Sequence, residues 1–345
     1  MAYISFQPND YFNTKIYTGT GSSNALTGVG FQPDWTWIKV RSEANNHEIY
    51  DAVRGVTKRI YSDINNAEDT NTAGLTAFGT DGFTVNTGGA VNGSSKTYVA
   101  WNWKANGQGS SNTDGSINTT YTSANTTAGF SIVKYTNPSS GSPFTVGHGL
   151  GAAPKMIIIK NLSSAQTWGV YHASVGFGKY LRLDDSAAEA SANLVTATSN
   201  TTFSAYQDHH STGNELIAYC FAEKKGFSKF GSYIGNGNAN GAFVYTGFKP
   251  AFVIVKRVDS AANWVMTDNK ISFNGKGTND SSVLFPSTTT AETDAYGLQL
   301  HSTGFKFAGS DSASATVNGS GAEYIYMAFA SEPLVSSNGI PATAR

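Results

Sequence analysis

Internal repetition is the feature that most constrains how this chain folds. Three segments share a proline, a β-rich stretch and a lysine six positions after the proline. They are residues 31–39 (FQPDWTWIK), residues 152–160 (AAPKMIIIK) and residues 248–256 (FKPAFVIVK). A proline is tolerated at the head of a strand because its missing N–H is not needed there. The pattern predicts three equivalent strands containing Lys39, Lys160 and Lys256.

The flanks of these segments carry further landmarks in the same order. Upstream lies a tyrosine-led strand with a Gly/Asn/Ser turn, beginning at Tyr17, Tyr135 and Tyr233. Each copy closes on an aromatic strand with a central alanine, at Ala100, Ala218 and Ala328. We therefore expect three diverged copies of one module, with the closing strands coinciding at these alanines.

Composition and spacing indicate the fold of each copy. Aromatic residues make up 12% of the chain and glycines number 37, whereas only 14% of residues are charged. Pleated sheets favour bulky side chains, and tight turns favour residues that tolerate positive φ. The repeat length leaves room for roughly six to eight short strands per copy, as in sandwiches and jelly rolls. The sequence predicts an all-β fold of three tandem, diverged β-sandwich or jelly-roll-like modules.

The expected boundaries follow from the landmarks and from local composition. Residues 106–127 are rich in Gly, Ser, Asn and Thr, which is typical of a linker or long surface loop. The predicted divisions are module one at 1–105, this linker at 106–127, module two at 128–225, module three at 226–333 and a C-terminal tail at 334–345.

Charge and cysteine content exclude several classes of partner and stabilisation. The formal net charge is −1, so no broad basic field attracts nucleic acid or an anionic membrane. No apolar run is long enough to span a bilayer. The first residues lack a secretory pattern, so we expect folding in a cytoplasm. The single cysteine, Cys220, excludes an intrachain disulfide and is expected to be a small buried residue.

Five motifs together resemble virion structural proteins of marine tailed phages, including those of cyanobacteria. They are residues 31–39, 50–55 (YDAVRG), 98–104 (YVAWNWK), 146–154 (VGHGLGAAP) and 324–329 (YIYMAF). The resemblance covers nearly the whole chain. It implies a phage structural protein of the kind described as tail-fibre or concanavalin-like, without fixing its position on the tail, at a fibre tip or on the capsid. It carries over no catalytic residues.

Several histidine-containing motifs invite a metal or phosphate site. His47 and Asp51 approach a metalloprotease signature but lack its second histidine, and i and i+4 lie far apart along a strand. Residues 207–210 (QDHH) are expected in an exposed loop, with His209 and His210 facing solvent or bonded locally. The glycines around His148 and in residues 235–241 do not follow a phosphate-loop spacing and predict turns.

Acidic residues supply no recognisable catalytic pair. The candidates are Asp184, Asp185, Asp208, Glu215, Asp268 and Glu292, and no spacing distinguishes two of them as a glycosidase pair. No G-x-S-x-G elbow occurs. Loop calcium through Asn112 and Asp114, or through Asn279 and Asp280, follows no recognised loop pattern. We expect no catalytic, cofactor-binding or metal-binding residues and no enzymatic activity.

Sugar binding is the main alternative to a purely structural role. Exposed tryptophans beside polar loops can stack on sugars, and the candidates are Trp35, Trp37, Trp101, Trp103, Trp168 and Trp264. Most occupy repeated strand positions, where packing in the core is expected.

The expected function is a non-enzymatic virion component that is assembled in the host cytoplasm. It is tail-fibre-like or otherwise tail-associated, and its alternatives are a capsid decoration protein and a glycan-binding module. Its expected partners are other virion proteins, further copies of itself in a trimer, and a host surface glycan. The near-zero net charge favours such association, because isolated soluble proteins usually keep a net charge.

Overall fold

The computed structural model describes residues 7–138, 143–206, 211–271, 281–308, 314–331, 334–335 and 341–342. Nearly all regular structure in these residues is antiparallel β-sheet, which confirms the predicted all-β fold. The helical elements are a 3-10 helix at Pro8–Asp10 and α1 at Gly89–Asn92. In this part of the chain no helix has the length and apolar character needed to cross a membrane.

The first unit comprises residues 7–103. Its strands are β1 (Phe12–Thr18), β2 (Asn24–Thr27), β3 (Trp35–Val40), β4 (Glu48–Asp51), β5 (Lys58–Arg59), β6 (Asp69–Thr70), β7 (Leu75–Gly79), β8 (Gly82–Val85) and β9 (Thr97–Trp103). The main sheet has the order β1-β9-β3-β4, and the second sheet has the order β2-β8-β7. β5 and β6 form a separate short pair.

The second unit comprises the described residues from 106 to 221. Its strands are β10 (Tyr121–Asn125), β11 (Phe130–Thr136), β12 (Phe144–Gly147), β13 (Met156–Asn161), β14 (Gly169–His172), β15 (Lys179–Arg182), β16 (Ala190–Ser191), β17 (Val195–Thr198), β18 (Thr202–Ala205) and β19 (Glu215–Phe221). The order β11-β19-β13-β14 repeats the main sheet of the first unit, extended by β10 on one side and by β15 and β16 on the other. The second sheet has the order β12-β18-β17.

The third unit comprises the described residues from 227 to 331. Its strands are β20 (Ser228–Ile234), β21 (Asn240–Tyr245), β22 (Pro250–Arg257), β23 (Val265–Asp268), β24 (Ser281–Val283), β25 (Thr293–Ala295), β26 (Leu298–His301), β27 (Gly304–Ala308) and β28 (Glu323–Ala330). Its sheets have the orders β20-β28-β22-β23 and β21-β27-β26, with β24 and β25 as a short pair. β29 (Leu334–Val335) and β30 (Pro341–Ala342) pair with each other beyond it.

One strand order therefore occurs three times along the chain, as three copies of one module would give. The repeated lysines lie in corresponding strands, in β3, β13 and β22. Lys39, Lys160 and Lys256 pair with Val99, Ile217 and Ile325 of the closing strands β9, β19 and β28. These three pairs fix which residues correspond between units.

The correspondence corrects one expectation about the closing strands. Counted from the lysine pairs, Tyr326 occupies the position of Ala100 and Ala218. The expectation that Ala328 coincides with these two alanines is therefore wrong, by two residues. Ala328 corresponds instead to Asn102 and Cys220. Side chains alternate along a strand, so a shift of two residues keeps the same face and leaves the local composition similar.

Within the described residues, the hydrophobic core has four clusters. One lies between the two sheets of each unit. The fourth, which we call the central core, contains side chains from all three units, among them Trp103, Phe221 and Phe329. The ring of Phe329 lies 5.6 Å from that of Trp103 and 6.2 Å from that of Phe221, measured between centroids. Each main sheet is thus covered on both faces, which is why every residue of β3 and β13 is buried.

Residues 106–127, expected to be a linker, are built into the second unit. Ile117 bridges to Val146 of β12, and β10 adds to the edge of β11. Ser116 and Thr145 exchange two hydrogen bonds of 2.7 and 2.9 Å. The segment therefore covers sheet edges instead of spacing two modules apart.

Candidate functional site

The six tryptophans considered as sugar-stacking residues are all buried, each at most 1% exposed. Trp35 stacks on Tyr219 of the second unit with ring centroids 4.7 Å apart, and Trp103 meets Phe252 of the third unit at 5.7 Å. A glycan on the surface has no access to these rings. The structure therefore assigns every tryptophan to packing, which goes further than the sequence did.

The three repeated lysines join the units to one another. Each ammonium group is buried and donates to a backbone carbonyl in a loop of a neighbouring unit. Lys39 Nζ donates to Thr289 at 3.2 Å, Lys160 Nζ to Asn65 at 2.9 Å and Lys256 Nζ to Ser186 at 3.3 Å. The first unit thus contacts the third, the second contacts the first and the third contacts the second, so the contacts close a ring.

Backbone hydrogen bonds repeat the same cycle beside each lysine. The N–H groups of Glu292, Glu68 and Glu189 donate to the carbonyls of Arg41, Leu162 and Val258 at 2.9, 3.1 and 2.9 Å. Each carbonyl lies two residues after a repeated lysine. The side chains of Glu292 and Arg41 also form an ion pair across the contact between the first and third units.

Burial lowers the pKa of each repeated lysine to about 8. Nearby carboxylates partly oppose this effect, Asp63 and Glu43 near Lys39 and Asp184 near Lys160. The carbonyls around each ammonium group supply hydrogen-bond acceptors without a full negative charge. These lysines therefore link each unit to its neighbour.

The residue eight positions after each lysine faces the same junction. Trp168 Nε1 donates to the carbonyl of Tyr61 at 2.7 Å, and Trp264 Nε1 donates to that of Arg182 at 2.6 Å. In the first unit this position is His47, whose Nδ1 accepts a hydrogen bond from Trp37 Nε1 at 2.9 Å. Burial, with the charge of Lys39, holds the pKa of His47 well below its ordinary value. His47 is thus neutral, and it occupies the position that a tryptophan occupies in each of the other two units.

Two of the candidate acids bridge units through the central core. Asp51 Oδ2 accepts from the hydroxyl of Tyr219 at 2.7 Å and pairs with Arg54. Asp268 Oδ2 accepts from Trp101 Nε1 at 2.8 Å, and burial raises the pKa of Asp268 to about 6. At the corresponding position of the second unit, His172 Nε2 lies 3.3 Å from the carbonyl of Tyr326.

Each of the remaining candidate residues that the structure describes has its own local hydrogen-bond or ion-pair partner, and Asp184 and Asp185 are neighbours in the chain. Asp184 accepts from the backbone of Trp168, Glu215 pairs with Lys134, and His148 Nε2 lies 3.1 Å from the carbonyl of Ser199. Asp185 pairs with Arg182, and Asp114 accepts from Asn112. Residues 207–210, Asn279 and Asp280 lie outside the described residues. Within the described ranges, no three His, Cys, Asp or Glu side chains form a group that could hold a metal ion.

A different surface carries exposed aromatic side chains, on the second sheet of the third unit. Phe243 is 50% exposed and Tyr245 is 66% exposed, and both lie on the outer face of β21. Phe243 of β21 lies opposite Lys306 of β27, and Tyr245 lies opposite Gly304 of the same strand. On its other side, Gly304 lies opposite His301 of β26. The ring of Phe243 meets that of His301 edge to face at 5.8 Å. We call Phe243, Tyr245, Gln299, His301 and Lys306 the aromatic face.

Gly304 gives the aromatic face its shape. A Cβ atom at this position would lie 2.1 Å from the carbonyl oxygen of Val244 and 2.9 Å from Cζ of Phe243, so the absence of a side chain lets both β21 and the phenyl ring lie close to the strand. Lys306 Nζ donates to Asn240 Oδ1 at 2.8 Å. The face therefore combines two aromatic rings with an ammonium group, an amide and an imidazole.

The corresponding faces of the other two units lack aromatic side chains. The pairing registers place Ala25 and Thr27 of the first unit, and Thr145 and Gly147 of the second, at the positions of Phe243 and Tyr245. Gly147 is covered by Asn112, because a Cβ atom there would lie 1.6 Å from Asn112 Oδ1. The aromatic pair is thus specific to the third unit.

Comparison with known families shows where the chain belongs. Residues 7–333 match a family described as a domain of unknown function, DUF7483. The chain is a member of the DUF7483 family. No curated protein and no solved structure matches the chain.

The DUF7483 match spans all three units, from the 3-10 helix to a point just after β28. The domain that defines this family therefore corresponds to the whole ring rather than to one unit. The aromatic face lies within the matched residues.

Sequence reasoning missed the aromatic face and the role of the lysines. Residues 235–241 predict a hairpin turn, but they connect β20 with β21, which lie in different sheets. Within β21, Phe243 and Tyr245 lie two residues apart. The available signal for their exposure was this spacing of two aromatic residues on an edge strand, because side chains two residues apart point to the same face. The lysines were recognised as landmarks, but their acceptors lie between 70 and 250 residues away in the chain.

Proposed function

We propose that this DUF7483 protein is a non-enzymatic structural component of a phage virion, tail-associated and positioned to contact the host surface. The observation that carries the proposal is the closed ring of three like units around one central core. Such a body presents three corresponding outer sheets, through which a part can be built into an assembly.

The use of the buried polar groups supports this proposal. The lysines, Asp51, Asp268 and three of the indole N–H groups form hydrogen bonds between units. Groups that an enzyme uses for proton transfer need to reach a substrate. Here such groups are enclosed where they stabilise the junctions between units.

Mass spectrometry of gradient-purified particles tests the proposal. We expect peptides of the protein at a stoichiometric level that survives high-salt washing, and a density map in which the ring docks at the tail. Absence of the protein from intact particles, combined with its presence in the lysate, would contradict a virion role. A position on the capsid surface would support the decoration protein instead.

Self-association remains part of the proposal, with a homotrimer implied by the resemblance to phage tail proteins. The ring already closes within one chain, so further copies must associate through the outer surfaces. Mass measurement of the purified protein across a hundredfold concentration range gives a trimer if the expectation holds and a monomer if one chain occupies its site alone. Assembly in the host cytoplasm and the absence of a nucleic-acid partner belong to the same proposal.

A glycan-binding module is the second candidate function, and the aromatic face favours it. An attachment protein needs a surface that recognises the host. Among the residues with known exposure, Phe243 and Tyr245 form an exposed aromatic pair on one strand face.

A further inference from the structure

We propose that the aromatic face of the third unit binds a saccharide chain, with a preference for acidic sugars. The proposal deepens the glycan-binding candidate by locating its site and its class of ligand. The proposal does not depend on a role in a virion, because the isolated chain is itself expected to bind the saccharide.

The chemistry of the face matches the two sides of a sugar ring. Phe243 and Tyr245 expose their rings on one side of a single strand, two residues and hence about 7 Å apart. Apolar C–H faces of sugars pack on such rings, while sugar hydroxyls need donors and acceptors nearby. Lys306 lies on β27, the strand next to β21, and Gln299 lies opposite Lys306 on β26. Neighbouring strands are about 5 Å apart. Stacking and hydrogen bonding are therefore available at one place.

The charge of the face favours an acidic ligand. Lys306 is the only Lys, Arg, Asp or Glu residue within β21, β26 and β27. Its ammonium group carries three donors, one of which bonds to Asn240 Oδ1. A sugar carboxylate or sulfate can accept from the others, and no carboxylate in these strands opposes it.

A protein partner fits this face less well. Of the five residues of the aromatic face, two are exposed large hydrophobic residues, Phe243 and Tyr245, whereas stable protein interfaces bury about 800 Å² on each partner. Strand addition to β21 is also disfavoured, because its pairing is interrupted between Asn240 and Phe243. A short, partly polar ligand is the occupant that these features favour.

The other units show that the fold does not require aromatic residues at these positions. The first unit has Ala25 and Thr27 there, and both are exposed. Replacing Phe243 by Ala and Tyr245 by Thr therefore gives the third unit side chains that the same sheet already accepts elsewhere. These two substitutions test binding with little risk to folding.

Calorimetric titration of the purified full chain tests the proposal. The probes are a hexamer of uronic acid residues from alginate and a neutral cellohexaose, each also titrated into Phe243→Ala and Tyr245→Thr. We expect the wild-type chain to bind the uronate hexamer more tightly than cellohexaose. Each substitution should weaken binding about tenfold or more, because it removes a stacking ring. Lys306→Gln should weaken uronate binding and leave cellohexaose binding within a factor of about two.

Ile234→Thr is the matched control. Ile234 is 55% exposed in the main sheet of the same unit, and its counterpart in the first unit is Thr18. This substitution should leave binding unchanged. Failure of both hexamers to bind the wild-type chain would overturn the proposal, as would equal binding by Tyr245→Thr. Self-association that Tyr245→Thr abolishes would assign the face to a protein contact instead. None of these results bears on the presence of the protein in particles.

Discussion

Replacement of a single junction lysine should change how stability depends on pH. Lys160 is buried, and its ammonium group donates to the carbonyls of Asn65 at 2.9 Å and Gln166 at 2.6 Å. Burial lowers its pKa from 10.5 to about 8 in the folded chain. The unfolded chain therefore holds this proton to a higher pH than the folded chain does. The contribution of Lys160 to stability must therefore rise with pH between about 8 and 10.5, because at this group the unfolded state binds more protons there.

The size of this effect follows from the two pKa values. The difference between 10.5 and about 8 corresponds to on the order of 3 kcal/mol of unfolding free energy, most of it gained between pH 8 and 10. Lys160→Met removes the titrating group and hence this gain. At pH 7 the substitution should already cost about 2 kcal/mol, because two carbonyls lose a charged donor while a buried charge is removed.

Urea unfolding at pH 7, 8.5 and 10 measures the difference between the wild-type chain and Lys160→Met. Other groups titrate in this range, including the thiol of Cys220, whose pKa is raised by burial, but they cancel in the difference. We expect the difference to widen by about 2 to 3 kcal/mol between pH 7 and 10. Lys155→Met, at an exposed lysine near the same strand, is the control and should show no such widening. A difference for Lys160→Met that stays constant with pH would refute the reasoning.

Three further substitutions or probes address other contacts. Trp101→Phe removes the indole donor to buried Asp268 and should lower the unfolding free energy by about 2 kcal/mol, measured by urea unfolding at pH 7. Gly129→Ala should destabilise by about 3 kcal/mol, because its Cβ would lie 2.3 Å from the carbonyl oxygen of Ala222. Gly151→Ala, with the same φ of +68° but open space, should cost only about 1 kcal/mol, and equal costs would contradict the steric argument. The Cys220 thiol should react with a thiol reagent at least a hundredfold more slowly in the native chain than in urea, and rapid native labelling would show that it is not buried.

The sequence predicted local structure better than it predicted the assembly of the units. The proline-to-lysine pattern identified β3, β13 and β22 correctly, because strand periodicity and proline placement are local properties. The alanine landmark failed in the third unit, where Tyr326 replaces the small residue and a neighbouring alanine two positions later imitates it. Local composition does not distinguish these two registers.

The ring and its central core were outside the reach of sequence reasoning. Gly-, Ser- and Asn-rich composition suggested a linker at 106–127, yet Ser116 and Ile117 bond to β12 and close an edge. Core packing is expected from the sequence for most of the tryptophans, and the structure extends it to all six. Both faces of the main sheets are covered once three units share one core, and that sharing depends on contacts between residues far apart in the chain.

The central claim is that the three units form one closed body, and calorimetry of the full chain tests it most directly. Trp35, Phe221 and Phe329 pack in one core, so no unit can unfold and leave the others fully covered. We predict a single transition whose calorimetric and van't Hoff enthalpies agree, and a Lys256→Met variant in which this whole transition shifts to lower temperature. Two or three separate transitions, with Lys256→Met moving only one of them, would show independent modules and would contradict the account.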